Sequence, residues 1–181
     1  GVLCADVDSS VVRIAGTTAN TLFGLTVCDG VLELDKPAGV NAVSGVLALS
    51  GTTAFVVTQA ANQLDGAAID ILVGTLQLTD HSQSVTGLEA VLDDEPGAPV
   101  RIELGSLAST TLTLTGTGTF EYAGLITGAG RLSLTGTGTQ SLLSGNAYTG
   151  GTTIAGGVLV ADNASGSATG SGNVTVGTGG R

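Results

Sequence analysis

The sequence predicts an all-β chain wound as a right-handed parallel β-helix, a β-solenoid with rungs of about twenty residues, and three observations carry that prediction. The eight residues LTLTGTGT at Leu112 to Thr119 return as LSLTGTGT at Leu132 to Thr139. Short runs with apolar residues two apart recur along the chain, bounded by Gly, Asn, Asp or Ser. The apolar content is carried by Val, Leu, Ile and Ala beside 30 Gly, with no Met or Trp, 3 Phe and 2 Tyr. β-Branched residues favour strands, and frequent Gly supplies corners. A sandwich of hairpins has no reason to repeat its sequence at a fixed interval, whereas a solenoid stacks like on like.

The elements follow in chain order. VVRI at Val11 to Ile14, VLEL at Val31 to Leu34 and VLAL at Val46 to Leu49 each bury one face. The segment Thr58 to Val73 has helix-tolerant Ala and Leu, but Asp65-Gly66 interrupts it and it reads as strand or loop. TLQL at Thr75 to Leu78, VRIEL at Val100 to Leu104, TLTL at Thr111 to Leu114 and RLSL at Arg131 to Leu134 continue the series. VLV at Val158 to Val160 and NVTV at Asn173 to Val176 close it. In the repeated pair, Leu112 and Leu114 should lie over Leu132 and Leu134 inside, with Thr113 and Thr115 over Ser133 and Thr135 outside. DDEPGAP at Asp93 to Pro99 is expected to protrude from a corner of one domain spanning 1–181, because strand character resumes at once. A twenty-residue rung implies roughly nine turns and a rod of roughly 40 Å.

Charge and hydropathy narrow the function classes. A formal net charge of −10 argues against an electrostatic grip on nucleic acid or anionic lipid. No window approaches the roughly 18 apolar residues of a membrane helix, so membrane insertion is not expected. The chain opens at Gly1 with no basic n-region, and any export signal is expected to have been removed or to lie upstream. GVLC is not read as a lipoprotein site, since Leu3 is too large before the Cys. Cys4 and Cys28 fall on adjacent rungs if one turn is slightly long, and form either a disulfide or two buried thiols. No further soft ligand accompanies them, so no metal or other cofactor is expected.

Candidate chemistry is thin. Asp80, His81 and Ser82 are consecutive, whereas a Ser-His-Asp device is assembled from separated segments; a solvated turn is the simpler reading. Carboxylates stacked on one face would suit glycoside hydrolysis or calcium. The candidates are Asp6 with Asp8, Glu33 with Asp35, and Asp93 with Asp94 and Glu95, which read more simply as solvated charge. GTGTFEYAG approaches a phosphate-cradling glycine pattern, but no helix follows it. Thr113, Thr115, Thr117 and Thr119 stacked on Ser133, Thr135, Thr137 and Thr139 would give a hydroxyl array of the sort seen in ice-binding solenoids. Only two rungs show it in the sequence, and ordinary cross-strand Thr pairs explain it as well.

The run from Gly116 to Asn163 resembles a known repeat, and its most specific part is NAYTGGTTIAGGVLV. Asn146, Tyr148, Thr149, Gly150, Gly151, Thr152, Thr153, Ile154, Gly156, Gly157 and Leu159 fit the pattern of the autotransporter-associated β-strand repeat, found in passenger regions of secreted bacterial proteins. Phe120, Tyr122, Gly124, Ile126, Gly128, Gly130 and Leu132 fit the preceding rung. The resemblance implies a right-handed parallel β-helix, export, and an extracellular or cell-surface location. It implies no particular activity. The expected role is a non-enzymatic structural spacer or filament element whose uncapped ends associate end to end or continue the same solenoid. The alternatives are an adhesin that binds a host or matrix ligand, and a polysaccharide-degrading enzyme.

Overall fold

The structure, a computed structural model, describes residues 2–3, 11–20, 23–90 and 100–181. Among these there is no helix, and every strand pairing is parallel. Each turn lays strands on three sheets. The first sheet stacks β1 (Val2–Leu3), β3 (Gly24–Val27) and the first parts of β5 (Val46–Thr58) and β6 (Ala67–Gln77). It continues through the end of β7 (Gln83–Glu89), β10 (Thr119–Tyr122), β13 (Thr139–Leu142) and the end of β14 (Thr152–Ala161). The second carries β2 (Val11–Ala15), β4 (Val31–Asp35), the later parts of β5 and β6, β8 (Val100–Glu103) and β11 (Leu125–Thr127). The third carries the start of β7, β9 (Thr111–Leu114), β12 (Arg131–Leu134), the start of β14, and β15 (Val174–Gly180).

The two-residue alternation is what makes this coil possible. One side of each strand faces a narrow interior, where Leu32, Leu34, Leu47, Leu49, Ile69 and Leu132 are fully buried. Backbone N–H and C=O groups are exchanged between rungs. Leu112 lies on Leu132 and Leu114 on Leu134, all four buried, while Thr113 lies on Ser133 on the outer side, as the repeat predicts.

Two expectations are revised. The coil makes about seven turns, not nine, and at ~4.8 Å per turn the rod is about 34 Å long. The reason is rung length: Leu112 to Leu132 is a step of twenty, but Val2 pairs with Thr26 and Val85 with Leu114. VLAL and TLQL are also not separate strands. Each is one half of a long strand, β5 or β6, that bends from one sheet to the next through register shifts at Ser50. The segment Asp93 to Pro99 lies outside the described residues.

Strands at both ends of the described coil pair on one side only: β1 pairs only with β3. β2 pairs only with β4, and β15 only with β14. Val174 and Val176 are 47% and 55% exposed, although their equivalents Leu132 and Leu134, two rungs below, are 0% and 3% exposed.

Candidate functional site

The repeat motif is the first candidate, and its side chains serve the coil itself. Asn146 is buried between rungs: its Oδ1 accepts from the Ile126 amide at 2.7 Å and its Nδ2 donates to the Ala168 carbonyl at 2.6 Å. One amide side chain thereby bridges the rung below and the rung above. Tyr148 is fully buried with its hydroxyl 2.6 Å from Thr152 Oγ1, and burial pushes its phenol pKa up. Gly151 has φ of 88° and Gly157 of 70°, values that favour glycine at these corners. Ile154 is buried, Thr153 points out, and the amides of Thr149 and Gly150 donate to Gly128 and Gly130 one rung below.

Other buried amides work in the same way. Gln140 accepts from the Leu88 amide and donates to the Leu88 carbonyl, both at 3.0 Å, across 52 residues of sequence. Gln83 Oε1 accepts from the Gln63 amide at 2.8 Å, and Gln63 Nε2 donates to the Lys36 carbonyl at 2.7 Å. Lys36 is 3% exposed, and its ammonium donates to the carbonyls of Ala15 and Thr18. These groups satisfy backbone atoms that corners leave unpaired inside the coil.

Asp80, His81 and Ser82 do not converge. The Asp80 carboxylate accepts from Ser106 N at 2.5 Å, Ser106 Oγ at 2.8 Å and Leu107 N at 3.0 Å, which holds it below the usual carboxylate range. The Ser82 hydroxyl instead accepts from the Thr111 amide. These residues tie one corner to the next rung. Glu33 and Asp35 share the outer side of β4, as expected, but Asp35 is ion-paired with Arg13. Cys4, Asp6, Asp8, Asp93, Asp94 and Glu95 lie outside the described residues.

Three other carboxylates do align. Register puts Asp70 beside Glu89, and the Ala90–Tyr122 bridge puts Glu89 beside Glu121. With Leu72, Ala90 and Thr119 they line an open concavity of about 530 Å³ on the first sheet. Burial raises the Asp70 carboxyl above its ordinary value. Sequence reasoning missed this column because its members are far apart in the chain at unequal steps, and only the register of β6, β7 and β10 brings them together. Among the described residues no three His, Cys, Asp or Glu side chains are placed to hold a metal ion. A second crevice, beside Phe120 and the stacked Gly116, Gly136 and Gly156, holds only about 10 Å³, about the space of one water.

The chain matches no protein-family model, no curated protein and no solved structure.

Proposed function

We propose that the chain is a non-enzymatic structural segment of an exported bacterial surface protein, a passenger-type repeat of the autotransporter-associated kind that acts as a stiff spacer or filament element. The observation that carries this reading is the use made of the repeat motif. Asn146 and the corner glycines join one rung to the next while Tyr148 and Thr152 fill and bond the interior of their own rung, so the motif encodes a coil that can be lengthened. The half-exposed Val174 and Val176 on the open edge of β15 favour continuation of that coil, by more chain or by a second copy. Electron microscopy and sedimentation of the purified chain across a concentration series test the assembly. Rods that lengthen with concentration while keeping a ~4.8 Å axial repeat support stacking of copies; rods of fixed length leave only the covalent spacer. A flexible, protease-sensitive particle would sink both.

In an oxidising compartment Cys4 and Cys28 form a disulfide in this reading. Their separation equals the β1–β3 offset seen at Val2 with Thr26. An unchanged mass on alkylation without reductant is expected, and uptake of two alkyl groups would refute it.

The Asp70–Glu89–Glu121 concavity favours a second reading, a ligand site that would make the chain an adhesin or a polysaccharide-degrading enzyme. Neighbouring rungs set the carboxylate backbones ~4.8 Å apart, and side chains that splay slightly outward would reach the roughly 5 Å separation of paired glycosidase carboxyls. Sugar release abolished by Asp70→Asn and Glu89→Gln would support the enzyme. Saturable ligand binding without turnover would support the adhesin.

A further inference from the structure

We propose that the outer side of the third sheet, built from β7, β9, β12, β14 and β15, is an ice-binding surface. The proposal is independent of the spacer reading, and it begins with register. Ser84 lies beside Thr113, Thr113 beside Ser133, Ser133 beside Thr153, and Thr153 beside Thr175. Five consecutive rungs therefore carry a hydroxyl at one position. Thr153 and Thr175 are exposed and the other three are half-buried. Among the described residues none of these five hydroxyls is engaged with another protein group. Two residues along the strands the exposed Thr115 and Thr135 also stack, but the Thr115 hydroxyl donates to the Val85 carbonyl at 3.1 Å and Ala155 follows Thr135, so this row is only two residues long.

The result is one regular column of five hydroxyls. The hydroxyls repeat at ~4.8 Å along the coil axis. The parallel ladder fixes the backbone beneath them. Threonine is stiff at χ1, so little side-chain freedom remains to be lost on binding an ordered partner. Each Thr also presents a methyl beside its hydroxyl, so the surface mixes hydrogen-bonding and apolar spots at one regular spacing.

The distribution of charge separates this sheet from the other two. The first sheet carries Asp70, Glu89 and Glu121 outward, and the second carries Arg13, Glu33, Asp35, Arg101 and Glu103. On the third, the charged residue among its strands is Arg131. Its guanidinium is drawn to the corner, where Nε and Nη2 donate to the Ala108 carbonyl at 3.0 and 2.8 Å. Among the described residues, the strand segments of this sheet thus carry no carboxylate in a protein of net charge −10. A charged group holds its own hydration shell and would compete with a water lattice, whereas neutral hydroxyls can take lattice positions. A neutral polysaccharide shares the hydroxyl chemistry, but the outward positions of these strands offer no aromatic ring for sugar stacking, and the observations favour ice.

The test is slow growth of ice from a dilute solution of the labelled full chain, beside an inert acidic protein of similar size. The chain should be enriched several-fold in the ice fraction relative to that control. Thr113→Arg with Thr153→Arg should abolish the enrichment, and Glu89→Gln, on the other side of the coil, should leave it unchanged, with circular dichroism verifying the fold of each. Exclusion of the wild-type chain from ice at the level of the control overturns the proposal without reference to any variant. So does enrichment that survives both Arg substitutions in a folded protein, or binding to insoluble neutral polysaccharide with no partition into ice.

Discussion

The rungs between Thr111 and Ala161 and those between Gly24 and Glu89 reach the same coil by different means. In the later rungs the step is regular. Leu112 lies on Leu132 and Leu132 on Thr152, and the corners are glycines stacked on glycines. In the earlier rungs the step varies, strands β5 and β6 bend through corners, and Asn62, Thr79 and Asp80 adopt positive φ. Buried Gln63, Gln83 and Lys36 fill the hydrogen bonds that irregular corners leave open. Both regions use buried amides that reach between rungs, Asn146 and Gln140 in the later one and Gln63 and Gln83 in the earlier, but only the later one adds near-identical rungs with stacked glycine corners. The two strategies should respond differently to substitution.

The largest contrast is expected between Asn146→Ala and Gln63→Ala. Asn146 meets both a donor and an acceptor on different rungs, so its loss leaves two buried backbone groups unsatisfied and should destabilise by about 4 kcal/mol. Gln63 donates to one carbonyl through its side chain, and its Oε1 accepts from no described group. Its replacement should cost about 1.5 kcal/mol. Denaturant unfolding measures the difference, and hydrogen exchange at the Ile126 amide should accelerate only in Asn146→Ala. Equal destabilisation would mean that the two amides do the same job.

A smaller contrast concerns the corners. A Cβ at Gly136 would sit 2.1 Å from the Gly116 carbonyl oxygen, so Gly136→Ala must force two rungs apart at an estimated ~3 kcal/mol. Gly39 has φ of 78° but nothing within 4 Å of such a Cβ, and Gly39→Ala should cost only the left-handed conformation, about 1 kcal/mol. If the Gly136 variant proves as mild as the Gly39 variant, the glycine stack is not what holds the regular rungs together.

The same contrast explains what could be read in advance. The solenoid was legible because two rungs carry nearly the same eight residues, and stacking of Leu112 on Leu132 follows from that echo alone. Three strands per turn were not legible. TQSL in β13 places Gln140 inward, where an apolar residue marks a strand, and its partner Leu88 is 52 positions away. The carboxylate column and the hydroxyl column were hidden for the same reason. Sequence shows two hydroxyl rungs, whereas the register of β7, β14 and β15 extends them to five, because unequal corner lengths disguise which residues are neighbours.

Two carboxylates from the irregular region offer the finest test, with opposite signs. Asp80 gains three hydrogen bonds on folding, and its folded pKa falls below the ordinary 3.8. Its contribution to stability is therefore complete above 3.8 and fades as pH falls through the lower folded value. Asp70 is raised by burial, and the facing positions on its column are Ala48 below and Glu89 above, with no cation at either. Ionising Asp70 disfavours the folded state, so that penalty grows as pH rises from 3.8 through its higher folded value and is absent at lower pH. At neutral pH Asp80→Asn should lower the Tm slightly and Asp70→Asn should raise it. On acidification below 3.8 the Asp70→Asn difference should vanish, while that of Asp80→Asn shrinks only at still lower pH. Melting curves of the three proteins across that range decide the matter. Two shifts of the same sign would show that the hydrogen bonds at Asp80 do not favour its charged form in the folded protein, or that the concavity around Asp70 does not disfavour its charge.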